Sequence, residues 1–189
     1  MTSQLHRQLI EILASKALDH LETPIKLASG AWSSEFIDAK KGLAAWSDLR
    51  LASEVVNETL VEAGHEFDAV GGLTLGADAL AVGIASVSDS RWFVIRKEPK
   101  ARGTRRLIEG ADIGPQDTVL IIDDVVTTGG SILKAYEAAA VTGAKITAAT
   151  TLVDRGEIAA PKFAALGVDY FPIATYKSLN IKPIEPPSN

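Results

Sequence analysis

The sequence predicts an α/β protein built on a five-stranded, mostly parallel sheet flanked by helices. Three observations carry that expectation. Five short apolar runs, near 67–71, 91–95, 117–122, 146–153 and 168–174, read as strands. Helical periodicity fills three of the four gaps between them, the alternation that builds a parallel, doubly wound sheet. Each glycine-rich or charged stretch directly follows a strand, where such sheets hold ligands. The 189 residues are expected to form a single domain. In it, about 1–45 make a small N-terminal hood, about 46–175 the core, and the proline-rich 182–189 an extended tail.

Composition narrows the function. The net charge of −5 argues against nucleic acid as the main partner. No apolar run approaches the ~20 residues of a membrane span. The opening MTSQLHRQLIEIL carries charge inside its apolar pattern and does not read as a signal peptide. The chain has no cysteine, which excludes a disulfide framework and a thiolate zinc site. The expected location is cytoplasmic.

The elements follow in order. Leu5, Leu9, Ile12, Leu13 and Ala17 line one face of a helix over 4–21, with Ser3 as its cap; His6 and His20 fall on or near the polar side. Residues 25–40 have no long period and read as short strands or loops around Ser29-Gly30. Ala52, Val55, Val56, Thr59, Leu60 and Ala63 line a second helix over 48–63, between Ser47 as cap and Gly64 as stop. The 67–71 strand runs into GGLTLGAD, then a helix to about 85. The 91–95 strand runs into RKEPKARGTRR, where six of the eleven residues are basic. That run is either a solvated loop or a lid bringing cations to a polyphosphate. A helix over 132–142, a polar turn at 154–157, a short helix over 159–166 and the last strand complete the core. Pro172 places that strand at an edge, because it cannot donate to a ladder.

The central stretch is VLIIDDVVTTGGS, Val119 to Ser131. An apolar strand ends in Asp123 and Asp124, and a hydroxyl- and glycine-rich turn leads to a helix N-terminus. Loop N–H groups and the helix dipole favour phosphate there, and Thr127, Thr128 and Ser131 add donors. The acids repel phosphate. They suit ribose hydroxyls, or a metal held with them. No Gly-Lys-Ser/Thr follows the glycines, so this is not a Walker A loop.

D-D-V-V-T-T-G-G-S closely resembles the phosphoribosyl-pyrophosphate (PRPP) motif of type I phosphoribosyltransferases. Within that family the chain is most similar to the orotate enzymes. Their hood motif, F-x-L-x-S-G-x-x-S-x-x-Y-x-D-x-R/K, is matched by Ile25, Leu27, Ser29, Gly30, Ser33, Phe36, Asp38 and Lys40. GGLTLGAD is like their pyrophosphate loop, and R-K-x-x-K followed by L-I-E-G is like their lid. The resemblance implies a Rossmann-like type I phosphoribosyltransferase fold and transfer of ribose 5-phosphate from PRPP to orotate. It implies that Asp123 and Asp124 hold the ribose, that Val125, Val126, Thr127, Thr128, Gly129, Gly130 and Ser131 wrap the 5′-phosphate, and that Gly72, Leu73 and Thr74 face pyrophosphate. Arg96, Lys97, Lys100 and Arg102 would serve the leaving group, with the lid reaching across a homodimer. Phe36, Thr128 and Arg155 would meet the base. Mg²⁺ is the implied cofactor, held mainly by PRPP, with Asp123 and Asp124 as possible ligands. Arg102 stands where the family usually has His, keeping the charge but unable to shuttle a proton near neutral pH. Ala28 stands where some orotate enzymes have a base-contacting Lys. Two other readings remain open: the same reaction on another nucleobase, and a PRPP-sensing regulator on the same fold.

Overall fold

The computed structural model describes residues 3–27, 30–98 and 106–184. The core is a six-stranded sheet among these residues. Its strands are β3 (Ala69–Leu73), β4 (Arg91–Ile95), β5 (Ile108–Gly110), β6 (Thr118–Val126), β7 (Lys145–Asp154) and β8 (Asp169–Thr175), in the order β5-β4-β3-β6-β7-β8. All neighbours are parallel except β4 and β5. The expected five strands are present, and β5 corrects the count to six. At three residues, β5 is too short to show alternation, and it exists only by pairing with β4. Pro172 does sit on an edge strand, β8.

β6 shows why the sheet is central. Leu120 and Ile122 face one apolar layer, with helices α1 (Gln4–Ile12), α3 (Trp46–Glu62) and α4 (Asp78–Ser88). Val119 and Ile121 face the other, with α5 (Gly130–Ala140) and α6 (Ala159–Ala165). Side chains alternate across a strand, so one continuous apolar run fills both layers.

The N-terminal region departs from the expected helix over 4–21. Ser3 caps α1 by accepting from His6 N at 3.1 Å, as expected. The helix then ends at Ile12, passes through a π turn at Leu13–Ala17, and the chain extends into β1 (Leu18–Lys26). β1 pairs antiparallel with β2 (Trp32–Ile37), Leu18 opposite Ile37. The apolar helical face ends at Ala17, and pairing with β2 sets the conformation of the residues after it. This hairpin and the short α2 (Ala39–Gly42) form the hood. One smaller correction follows. α3 begins at Trp46 after Ala45, with no side-chain cap, not at a Ser47 cap. The tail is docked at its start: Ile184 is buried and its N–H donates to Arg155 O at 2.7 Å. Residues 185–189 lie outside the described residues.

Candidate active site

β3 and β6 are neighbours, but β4 lies beyond β3 and β7 beyond β6. The loops at their carboxyl ends therefore diverge and open a crevice. A pocket of about 580 Å³ fills it, lined by Leu73, Thr74, Leu75, Gly76, Lys97, Asp123 through Ser131, Lys134 and Arg155, with Leu27, Phe36, Ile37 and Lys40 from the hood.

The acid pair lies at the floor. β6 continues past the expected end at Ile122 to Val126, which carries both acids inside the strand. Asp123 is buried; burial first, and the Asp124 carboxylate second, push its pKa up to about 7. Asp124 is better solvated. Its Oδ1 accepts from Val125 N at 2.8 Å and its Oδ2 pairs with Lys40 Nζ at 3.2 Å. Burial works against the Lys40 charge, but Asp124 outweighs it, with help from Asp38 and Asp123, and holds the ammonium above the usual lysine pKa. Glycine is required opposite: a Cβ at Gly76 would lie 2.3 Å from Asp124 Oδ1. The Thr74–Leu75 peptide in the same loop is cis.

Beyond Val126 the chain turns at Gly129, with φ +80°, straight into α5, which no side chain caps. The first N–H groups of a helix have no partner within it, so they and the helix dipole face the pocket mouth as an anion site.

Arg155 closes the opposite end, 1% exposed beneath the hairpin. Its turn is fixed by Asp154, whose Oδ1 accepts from the N–H groups of Gly156 and Glu157, each at 2.9 Å. Tyr170 OH donates to Asp154 Oδ2 at 3.0 Å. The guanidinium donates to Glu35 O at 2.9 Å and Ser33 Oγ at 3.3 Å, and its Nε is buried with no partner among the described residues.

The structure brings most of the predicted residues to the lining of one pocket. Gly72 sits behind it, where the lack of a side chain lets β3 approach β6: a Cβ would lie 1.9 Å from Ile122 O. Arg96 is outside that lining, its guanidinium paired with Glu109 at 3.2 Å. Lys100 and Arg102 lie outside the described residues. Among the described residues no three potential metal ligands gather.

With this geometry, comparison with known proteins is specific. The model of the phosphoribosyl transferase domain matches residues 49–172. The chain belongs to the phosphoribosyltransferase family. It is 38% identical over 153 residues to the orotate phosphoribosyltransferase of Pyrococcus furiosus, covering 81% of this chain and 84% of that one. It is 34% identical over 179 residues to the orotate phosphoribosyltransferase of Methanothermobacter thermautotrophicus, covering 95% and 96%. Among solved structures, orotate phosphoribosyltransferase of Mycobacterium tuberculosis in complex with PRPP superposes with a TM-score of 0.76 at 27% identity, covering 94% of this chain and 99% of that one.

This phosphoribosyltransferase also holds pocket residues that the sequence did not assign. Lys40 was visible only as a motif match, and its pairing with Asp124 spans 84 positions. Lys134, one helical turn past Ser131, could have been found from the position of α5. Glu35, beside Arg155 but not in the pocket lining, had no sequence signal.

Proposed function

We propose that this enzyme transfers the 5-phosphoribosyl group of PRPP to orotate, giving orotidine 5′-monophosphate and pyrophosphate on the route to UMP. One observation carries the reading: Asp123 and Asp124 run within a few residues into the uncapped N-terminus of α5, in the same pocket as a buried arginine.

As the bond from the anomeric carbon to pyrophosphate breaks, positive charge grows on the sugar and negative charge on the leaving group. Asp124, and Asp123 beside it, accept hydrogen bonds from the ribose hydroxyls and favour the cationic ring. Main-chain N–H groups of residues 127–131 hold the 5′-phosphate, supplying binding energy remote from the reacting bond. Backbone amides near Leu73 and Thr74 and the cations Lys97, Lys100 and Arg102 meet the pyrophosphate, with Arg96 at the root of the lid. The described residues fit an Mg²⁺ ion held mainly by substrate oxygens with one or both acids alongside, and bound there it would add positive charge to the leaving group. The Arg155 guanidinium takes the orotate carboxylate and Phe36 packs on the base, with Thr128 at its edge. A base nitrogen attacks the anomeric carbon as the bond to pyrophosphate breaks; the electron pair leaves with pyrophosphate, and the proton on that nitrogen passes to pyrophosphate or water.

The lid of one subunit closes over the site of its partner in a homodimer, and the enzyme works in the cytoplasm. Among the described residues no helix is long and apolar enough to cross a membrane. The reading is tested by pyrophosphate release from PRPP and Mg²⁺ with orotate, uracil, hypoxanthine, guanine or adenine. Turnover with orotate alone supports it. Turnover with another base reassigns the substrate, and PRPP binding without any turnover points to a regulator.

A further inference from the structure

The arginine assigned to the base carboxylate already faces a carboxylate of its own chain. Glu35 Oε2 lies 3.7 Å from an Arg155 terminal nitrogen. That distance is too long for a hydrogen bond, so Glu35 contributes charge at the guanidinium and not its orientation. Orientation comes from elsewhere. One terminal nitrogen donates to the Glu35 main-chain oxygen at 2.9 Å, and the other to Ser33 Oγ at 3.3 Å. Neither bond has the Glu35 side chain as its partner. The Nε–H is buried and has no partner among the described residues. A planar carboxylate binding the guanidinium through Nε would bring a second negative charge beside Glu35 in a place where water screens little.

We propose that Glu35 is a specificity-determining residue that competes with the base carboxylate for Arg155 and so sets the affinity for an anionic base. The inference rests on the assignment of Arg155 to that carboxylate. Glu35 neutralises the buried cation while the pocket lacks a base, and an incoming base must match Arg155 well enough to overcome the repulsion. Bases without a carboxylate feel no such competition.

The test is steady-state kinetics of Glu35→Gln, Glu35→Asp and Arg155→Lys. Gln keeps the size of the side chain and can still meet Ser33, which lies 3.3 Å from Glu35 Oε2. The KM for orotate is expected to fall about tenfold in Glu35→Gln as the like charge is removed. Glu35→Asp, which withdraws the charge by about one bond, should fall between it and the parent. The inhibition constant of uracil against orotate should stay where it is in both; a general loosening of the hood would move it as well. An orotate KM unchanged or raised in Glu35→Gln, with Arg155→Lys raising it strongly, overturns the role of Glu35 and leaves that of Arg155. An orotate KM unmoved in all three variants overturns both.

Discussion

Gly76→Ala should cost this enzyme most of its activity while leaving it folded. The added Cβ would sit 2.3 Å from Asp124 Oδ1 and 2.6 Å from its Cγ, where ordinary contact begins near 3.4 Å. Asp124 must therefore shift by roughly 1 Å, and a misplacement of that size at a reacting centre costs about a hundredfold in rate. That is about 3 kcal/mol of transition-state stabilisation. The shift can occur, because the clash is with the free end of a side chain that is 15% exposed. Its consequences are local: the hydrogen bond from Val125 N and the pair with Lys40 weaken, at roughly 1–2 kcal/mol of stability. Gly72→Ala supplies the contrast. There the Cβ meets backbone, Ile122 O at 1.9 Å, and relief requires β3 and β6 to part. That should cost several kcal/mol, roughly the scale of severe overpacking. The assay is kcat/KM for PRPP at saturating orotate, from initial rates of pyrophosphate release, beside thermal unfolding of each variant. Gly76→Ala with parental kcat/KM would refute the claim that Asp124 must sit where it does.

Other consequences can be checked directly. Asp124→Asn should reduce turnover about a hundredfold or more while the protein still folds; near-normal turnover would remove Asp124 from the ribose site. Asp123 should impose a pH signature on stability. Its folded pKa of about 7 lies above the ordinary 3.8, so between those values the folded state keeps a proton that the unfolded state has released. Its contribution to stability therefore falls as pH rises through that window, by up to about 4 kcal/mol. Asp123→Asn should gain on the parent from pH 4 to 7 and hold its advantage above, and a gap that does not vary with pH would contradict this. If the lid reaches across a homodimer as proposed, mixed dimers of Lys100→Ala with Arg155→Ala subunits should recover part of the activity that each lacks, because one of their two sites would regain both residues. No recovery from confirmed mixed dimers would mean that each site is built from one chain.

What the sequence disclosed follows from how local each signal is. The strand, acid pair, glycine turn and helix of 119–140 are contiguous, so one stretch of chain predicts both the elements and a site at the carboxyl end of the strand. Apolar periodicity likewise placed the face of α3, where Ala52, Val55, Val56 and Leu60 are buried. Features made by distant pairing were hidden. Residues 18–21 fall within the helix expected over 4–21, although pairing with β2 makes them strand, and β5 is too short to stand apart from β4. The same holds in the pocket. The lysine facing Asp124 comes from the hood, and the carboxylate facing Arg155 comes from a hairpin 120 positions away. Neither spacing carries a pattern, although Lys40 and Arg155 could be singled out by resemblance.

The most direct test is a crystal structure of the enzyme with PRPP bound. The account predicts the 5′-phosphate on the main-chain N–H groups of residues 127–131, at the start of α5, with the ribose hydroxyls on Asp123 and Asp124. A 5′-phosphate held elsewhere, or a ribose turned away from both carboxylates, would contradict it.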